Sequence, residues 1–171
     1  MSAPSRIPET THRIAAADCD AQGELTPAHY LEYLLAARAQ HVAGHYAATL
    51  GVLAQRQNAR WLPIRHLLAY LRPAAAGDEV RIRSQIIHFD NSRLVVEVQL
   101  RNAPATRLLA LLWAEMKFVS RQGGHQLDHA DDLMELLEQL DAVEVDYHPD
   151  GFDERVQALR RELKNARKRA R

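Results

Sequence analysis

The sequence predicts an α+β domain in which one long helix packs against an antiparallel sheet, with a helical segment at the carboxyl end. Two patterns in the 171 residues support this fold class. Apolar residues recur at three- and four-residue steps after Pro27, and four runs with a period near two follow one another between residues 61 and 119. Four consecutive strands pair antiparallel, and an apolar helix must bury its face on their sheet.

The long helix has a clear start signal. Thr26 is a favourable N-cap residue, and Pro27 after it suits the first helical position. The alanine-rich apolar stripe predicts that other elements pack closely around this helix. We expect the helix to end before Gly51. The stripe contains Leu31, Leu34, Leu35, Arg38, Val42 and Tyr46.

The remaining elements follow from alternation and turn residues. A short first strand is predicted over residues 11–17, and further strands over 61–71, 80–89, 94–101 and 107–119. Residues 107–119 are apolar on both faces, which is typical of a central strand. Two helices are predicted at the carboxyl end, over residues 131–140 and 153–169.

The composition excludes several classes of protein. Cys19 is the only cysteine, so a disulfide framework and a cysteine-based zinc site are excluded. The longest apolar run, residues 108–114, is far shorter than the about 20 residues of a membrane-spanning helix. Residues 1–13 lack the apolar run of a secretory signal. We therefore expect a cytoplasmic protein without a membrane span.

The charge balance of 22 basic and 22 acidic residues hides three unequal blocks. Residues 1–127 carry 14 basic and 10 acidic residues, residues 128–154 carry 11 acidic and no basic ones, and residues 155–171 carry 8 basic and 1 acidic. We interpret residues 1–10 as a flexible leader, 11–127 as the main domain and 128–171 as an extension. The last two blocks are either solvated faces that pair with each other or, for the basic one, an arm for a polyanion.

Sequence motifs give no support for a metal or a cofactor. His41 and His45 have the spacing of a zinc-binding helix, but Val42 replaces the glutamate that would follow the first histidine. A calcium loop starting at Asp18 would need a glutamate where His29 stands. The phosphate-binding glycine loops and the serine-hydrolase elbow are also missing from the sequence. We expect no metal and no cofactor.

Two carboxylates precede the long helix. Asp18 and Asp20 lie in a turn that ends at Gly23, next to a helix end whose N–H groups carry partial positive charge. A carboxylate beside such donors provides a base or nucleophile together with stabilisation for an oxyanion. Alternatively, the two aspartates only cap the turn and favour the helix dipole.

Three motifs resemble those of the 4-hydroxybenzoyl-CoA thioesterase-like hotdog family. The run Asp18-Cys19-Asp20-Ala21-Gln22-Gly23 is similar to its D-x-D-x-x-G motif, and Tyr30-Leu31-Glu32-Tyr33 with Ala37-Arg38 to its Y-L-x-Y and A-R motifs. Tyr70-Leu71-Arg72-Pro73, followed by Gly77-Asp78-Glu79-Val80, is similar to its Y-x-x-P and GD-x-V stretch. The resemblance covers about residues 11–127.

This resemblance implies a hotdog fold, in which a curved antiparallel sheet wraps around the central helix. It also implies a homodimer or tetramer, with sites for an acyl-CoA or acyl-carrier-protein thioester between subunits. Asp20 matches the family's catalytic aspartate and would attack the thioester carbonyl or activate a water molecule. Nucleic acid is not expected as a partner.

The chain also departs from the family pattern. Glu24-Leu25-Thr26-Pro27 replaces the frequent His-x-Asn-Asn, and Pro27 has no N–H to offer where an oxyanion donor is expected. Backbone groups of Gly23 and Ala28 would then lie near the substrate carbonyl and supply the N–H for the oxyanion, with Thr26 and Tyr30 at the pocket mouth.

The alternative is a hotdog protein that binds acyl thioesters or acyl products without turnover. A hotdog dehydratase ranks last, because only His29 lies at the helix start. Arg38 is expected to pair helix and sheet.

Overall fold

The computed structural model describes residues 6–142 and 144–169, and within them a five-stranded antiparallel sheet in the order β1-β3-β4-β5-β2. The long helix packs on one face of this sheet, so the predicted α+β hotdog fold is confirmed. The strands are β1 (Glu9–Arg13), β2 (Ala59–Tyr70), β3 (Glu79–Phe89), β4 (Arg93–Asn102) and β5 (Leu108–Ser120).

Strands β2 to β5 agree with the predicted runs to within two residues. The β3–β4 hairpin turns at Asp90, whose carboxylate accepts the N–H groups of Ser92 and Arg93 at 2.8 Å each. The first strand differs, because it begins at Glu9 and pairs with β3 only as far as Arg13. Beyond that point residues 16–18 form a single 3₁₀ turn. The predicted strand over 11–17 was therefore displaced towards the carboxyl end.

The long helix begins at Pro27, as predicted, but does not end before Gly51. Helix α1 (Pro27–His41) continues as a π-helical segment (Val42–Gly51) and then as helix α2 (Val52–Arg56). Gly51 has a φ of −63°, an ordinary right-handed helical value, because glycine permits a helix end without enforcing one. The chain reverses its direction at Asn58, whose φ is +48°.

The main core lies between α1 and the inner face of the sheet. Leu34 and Ala37 of α1 are fully buried, and so are Val96 and Val98 of β4. Ala37 lets the helix approach the strands closely. Ala36 and Ala39 of α1 are exposed, so this packing explains only part of the alanine content of the helix. This packing holds the amino end of α1 against the loops that precede and face it.

The carboxyl-terminal helices cover two different regions. Helix α3 (Asp131–Leu140) has the predicted bounds and joins the main core. Helix α4 (Phe152–Arg169) buries Val156, Leu159 and Leu163 against the outer face of the sheet, with Leu108 and Leu111 of β5. Strand β5 is thus apolar on both faces because α1 covers one and α4 the other. Within the described residues, no helix combines the length and apolar character needed to cross a membrane.

A buried polar cluster joins α1 to β3, as expected for Arg38. Its guanidinium donates to the Ser84 hydroxyl at 3.2 Å, and His41 Nδ1 lies 2.8 Å from the same oxygen. Burial lowers the pKa of Arg38 to about 10. Burial, reinforced by the charge of Arg38, lowers the pKa of His41 to about 4. His41 therefore lies neutral in the core at pH 7.

Candidate functional site

The candidate site is built from the amino end of α1 and two loops that hold each other in place. The loop before the helix bonds to the loop between β2 and β3, through Leu25 N–H to Ala74 O at 2.8 Å and Ala76 N–H to Gly23 O at 2.9 Å. Thr26 N–H also donates to Asp18 O at 3.2 Å. The three motifs that carry the family resemblance therefore meet in space.

Asp20 lies exposed at the surface of the first loop. Its Oδ1 accepts the N–H groups of Gln22 at 2.9 Å and Glu24 at 3.0 Å. Both bonds go to one oxygen, and Oδ2 accepts no hydrogen bond from the described residues. The carboxylate is thus oriented by its own turn while one oxygen remains open to solvent or to a ligand.

Gly23 closes this turn. Its φ of +78° lies in the left-handed region that side-chain-bearing residues avoid, which explains the glycine. Its N–H donates to Asp20 O at 3.0 Å. The Gly23 N–H predicted to face the substrate carbonyl is therefore already engaged within the turn.

The helix end itself is left without a side-chain cap. Thr26 occupies the N-cap position, but its hydroxyl lies 2.7 Å from His29 Nδ1 and makes no capping bond. Pro27, at the first helical position, has no N–H. The first helical N–H groups are those of Ala28 and His29, which precede the onset of intrahelical bonding, since Tyr30 N–H is the one that reaches Thr26 O. Ala28 is thus the predicted donor that the structure leaves available.

A polar cluster beside the helix end was not identified from the sequence. His29 Nε2 lies 3.6 Å from Asp18 Oδ1 and 3.7 Å from Glu32 Oε2. The Tyr33 hydroxyl donates to Asp18 Oδ2 at 2.8 Å and accepts Ala15 N–H at 3.0 Å. Burial raises the pKa of Tyr33, so its proton stays in place. Helical spacing from Thr26 to His29 to Glu32 was the available signal. Asp18 is held by these contacts, which leaves Asp20 the freer of the two aspartates.

Tyr30 is buried rather than placed at an open surface. Only 4% of it is exposed, and its hydroxyl donates to Arg72 O at 3.2 Å and accepts Ala74 N–H at 2.9 Å. Its ring packs edge-on against Tyr70, with 5.4 Å between centroids. Burial raises the pKa of the Tyr30 hydroxyl. Tyr30 therefore anchors the β2–β3 loop to the first turn of α1.

Cys19, between the two aspartates, is a poor nucleophile. Its Sγ donates to Ala15 O at 3.5 Å. Burial and the charges of Asp18 and Asp20 raise the pKa of its thiol, which keeps it protonated at pH 7. Within the described parts of the chain, no three His, Cys, Asp or Glu residues are grouped so as to hold a metal ion.

Taken together, the geometry presents an oriented carboxylate on a solvent-exposed loop that directly precedes an uncapped helix end. Such an end stabilises developing negative charge through its N–H groups and dipole. An oriented carboxylate can activate water or attack a carbonyl. The arrangement suits chemistry on a carbonyl group that becomes an oxyanion.

Several solved structures resemble the fold of this chain. Similar solved structures include the probable thioesterase YbaW of Escherichia coli, with a TM-score of 0.68 and 20% identity over 77% of this chain and 97% of that one. The 1,4-dihydroxy-2-naphthoyl-CoA thioesterase Slr0204 of Synechocystis has a TM-score of 0.66 and 13% identity, and the match covers 84% of this chain and 99% of that one. The 12:0-ACP thioesterase of Umbellularia californica has a TM-score of 0.74 and 13% identity, and the match covers 86% of this chain and 55% of that one.

At these identities the structural similarity shows the shared fold. No curated protein matches the sequence significantly. The sequence itself matches a protein family over residues 14–153, more than half of its length and further than the motifs alone extended. The chain belongs to the thioesterase-like superfamily.

Proposed function

We propose that this protein hydrolyses the thioester bond of an acyl-CoA or acyl-carrier-protein to a free acid and a thiol. The observation that carries the proposal is the Asp20 carboxylate, oriented through Oδ1 by two N–H groups and open at Oδ2, in the loop before the uncapped end of α1. Membership of the thioesterase-like superfamily supports the reaction class. Within it, the Asp18-Cys19-Asp20 motif favours a place among the 4-hydroxybenzoyl-CoA thioesterase-like members.

The reaction can follow either of two routes at Asp20. As a base, the carboxylate takes a proton from water while the water oxygen bonds to the thioester carbon. As a nucleophile, it bonds to that carbon itself, and water later cleaves the acyl-enzyme anhydride. In both routes the carbonyl oxygen becomes an oxyanion that accepts the Ala28 N–H, after which the C–S bond breaks and the thiolate takes a proton.

Two further residues support the site without acting on the carbonyl. Thr26 is held by its contact with His29 Nδ1 at 2.7 Å and borders the helix end. Tyr30 orders the β2–β3 loop through Arg72 O and Ala74 N–H. In this proposal Thr26 borders the substrate and Tyr30 keeps the opposite loop in position.

Both thiol carriers remain candidates for the substrate. One structural neighbour is named as a thioesterase of an aromatic acyl-CoA and another as a 12:0-ACP thioesterase, so the fold serves both carriers in other proteins. We propose a cytoplasmic location for this activity, as the sequence predicts.

We further propose that two copies join through β2 to enclose the site. Strand β2 forms one edge of the sheet, where its unpaired backbone groups offer a template for another strand. Leu62 is 38% exposed and Ile64 is 44% exposed on this strand. Burying them against a second copy would remove apolar surface from water. Size-exclusion chromatography with light scattering would give a dimer or tetramer, and Ile64→Lys would shift it towards monomer.

The central experiment measures thiol release from a panel of acyl-CoAs and acyl-carrier-proteins. The test variant is Asp20→Asn, which keeps an oxygen able to accept the Gln22 and Glu24 N–H groups and so preserves the turn. The control is Asp18→Asn, the same change two residues away. We expect a loss of kcat of about 100-fold or more for Asp20→Asn and a smaller one for Asp18→Asn. Unchanged activity in Asp20→Asn would exclude this role for Asp20.

A second candidate function is acyl-thioester binding without turnover. It is favoured by Pro27, which lacks an N–H at the first helical position, and by the Gly23 N–H, which is engaged with Asp20 O. Both features reduce the number of donors available to an oxyanion. Saturable binding of an acyl-CoA, with no hydrolysis above background at any chain length, would establish this function instead.

A further inference from the structure

A basic cavity lies between α4 and the β4–β5 turn, outside the candidate site. It has a volume of about 490 Å³ and is lined by six basic side chains and by no acidic one. Four of the six come from α4, one immediately precedes β5 and one lies in the segment after β2. The six residues, called the basic cavity residues below, are Arg72, Arg107, Arg160, Arg161, Lys164 and Arg167.

Among the residues that the structure describes, these charges have no counterion. No basic cavity residue forms an ion pair with any residue in the described ranges 6–142 and 144–169. The described residues of the acidic block at 128–154 do not neutralise them, since the ion pair found for this block joins Asp132 to Arg56, outside the cavity. Like charges gathered around one cavity repel each other, so a bound anion would stabilise the arrangement.

The shape and lining of the cavity favour a small ligand with several phosphates. Its volume lies in the range of about 300–1,000 Å³ typical of small-molecule sites. Leu108 and Leu163 line it as well, and Thr106 and Gln157 add neutral hydrogen-bonding groups. Clustered cations around a cavity of this size suit a compact ligand that carries several phosphates, such as a nucleotide. A nucleic acid or a protein helix would instead require an extended surface.

The cavity is connected to the candidate site through one residue. Arg72 lines the cavity, while its carbonyl oxygen accepts the hydroxyl of Tyr30 in the first turn of α1. Leu71 and Arg72 also donate their N–H groups to Leu109 O in β5, which fixes this segment in place. A ligand that is charged at one end and carries a thioester at the other could therefore engage the cavity and the helix end together.

We propose that the basic cavity binds the phosphorylated nucleotide end of a coenzyme A thioester. This inference rests on the proposed function and narrows its substrate from two carriers to CoA, because an acyl-carrier-protein has no such nucleotide. The basic cavity residues hold the phosphates. Because most of these residues come from α4, the carboxyl-terminal helix contributes to substrate recognition.

Calorimetric titration of the full chain with adenosine 3′,5′-bisphosphate tests the cavity independently of catalysis. The variants are Arg107→Glu and Lys164→Glu, both exposed, and the matched control is Lys168→Glu, which changes charge equally on α4 outside the cavity. We expect each test variant to weaken binding by about tenfold or more, while Lys168→Glu binds like the unmodified protein. Raising the salt concentration should weaken binding as well.

Kinetics with acyl-CoA and with the matching acyl-pantetheine separate this inference from the proposed function. We expect Arg107→Glu and Lys164→Glu to raise KM for acyl-CoA and to leave acyl-pantetheine kinetics unchanged. Hydrolysis of acyl-CoA without bisphosphate binding would overturn the cavity assignment but would still support the proposed thioesterase activity. Bisphosphate binding that depends on Arg107 and Lys164, without any hydrolysis, would support the cavity and count against turnover. Equal effects of all three variants would overturn the cavity, since only overall charge would matter.

Discussion

Arg155 of α4 forms a two-pronged ion pair with Glu97 of β4. Its Nε and Nη2 lie 2.8 and 2.9 Å from the two carboxylate oxygens of Glu97, which is fully buried. Gln85, Gln99 and Trp113 also donate to this carboxylate. Burial alone would raise the pKa of Glu97, but the bonds and charge of Arg155 outweigh it and the pKa is lowered. The pair thus fastens α4 to the outer face of the sheet.

Arg155→Ala is expected to destabilise the protein by about 3–5 kcal/mol, because it leaves a buried carboxylate without its counterion. Urea unfolding would measure the loss. Lys168→Ala, at an exposed position of the same helix, should change stability by no more than about 0.5 kcal/mol. A loss below about 1 kcal/mol for Arg155→Ala would show that the three neutral donors suffice to hold Glu97.

The sequence predicted this helix but not its fastening. The stripe of Val156, Leu159 and Leu163 indicated which face of α4 is buried. The partner of Arg155, Glu97, lies 58 residues away on β4. Long-range pairs of this kind depend on which elements meet, and periodicity along the chain carries no information about that.

In the candidate site, too, the sequence predicted local features but not the contacts that depend on the folded structure. Motif resemblance singled out Asp20 and Gly23, and local rules predicted the start of α1 at Pro27. Sequence reasoning did not show that the Gly23 N–H would be engaged, because that bond depends on the exact turn. It also placed the end of the helix wrongly, because glycine permits both a helix and its end. Where the helix ends depends on packing that the local sequence does not encode.

Acid should destabilise the protein between pH 6.5 and about 4 because of His41. Its pKa is 6.5 in the unfolded chain and about 4 in the core. Over this interval the unfolded state binds the proton and the folded state does not, so stability falls as pH falls, by about 3 kcal/mol in all. Burial lowers the pKa of His12 and His129 too, so these residues add to the trend.

His41→Asn isolates the contribution of that residue. Asparagine can still bond to Ser84 but does not titrate. Measured by urea unfolding at several pH values between 6.5 and about 4, the variant should lose about 1.4 kcal/mol per pH unit less than the unmodified protein. Parallel stability curves for the two proteins would mean that His41 has the same pKa in the folded and unfolded states, and would contradict its lowered pKa.

Tyr30→Phe should cost about 1–3 kcal/mol, because it leaves the buried Ala74 N–H without an acceptor. Tyr70→Phe is the matched control. Its hydroxyl donates to Pro27 O, but 53% of the residue is exposed and water can replace the bond. We expect a change within about 0.5 kcal/mol there. In acyl-CoA assays Tyr30→Phe should raise KM, because the β2–β3 loop loses its anchor, and an unchanged KM would contradict that anchoring role.

Pro27→Ala should increase turnover, because it restores an N–H at the first position of α1. Removing one oxyanion donor from an enzyme typically costs about 100-fold or more in kcat, so we expect a gain of about tenfold or more from adding one beside Ala28. Helix stability should change little, since alanine is a good helix former. Pro104→Ala, in the exposed β4–β5 turn, controls for the loss of a proline. A thiol-release assay reads the result directly: a gain confined to Pro27→Ala would mean that donor number limits catalysis, whereas an unchanged kcat would mean that Ala28 already supplies what the oxyanion needs.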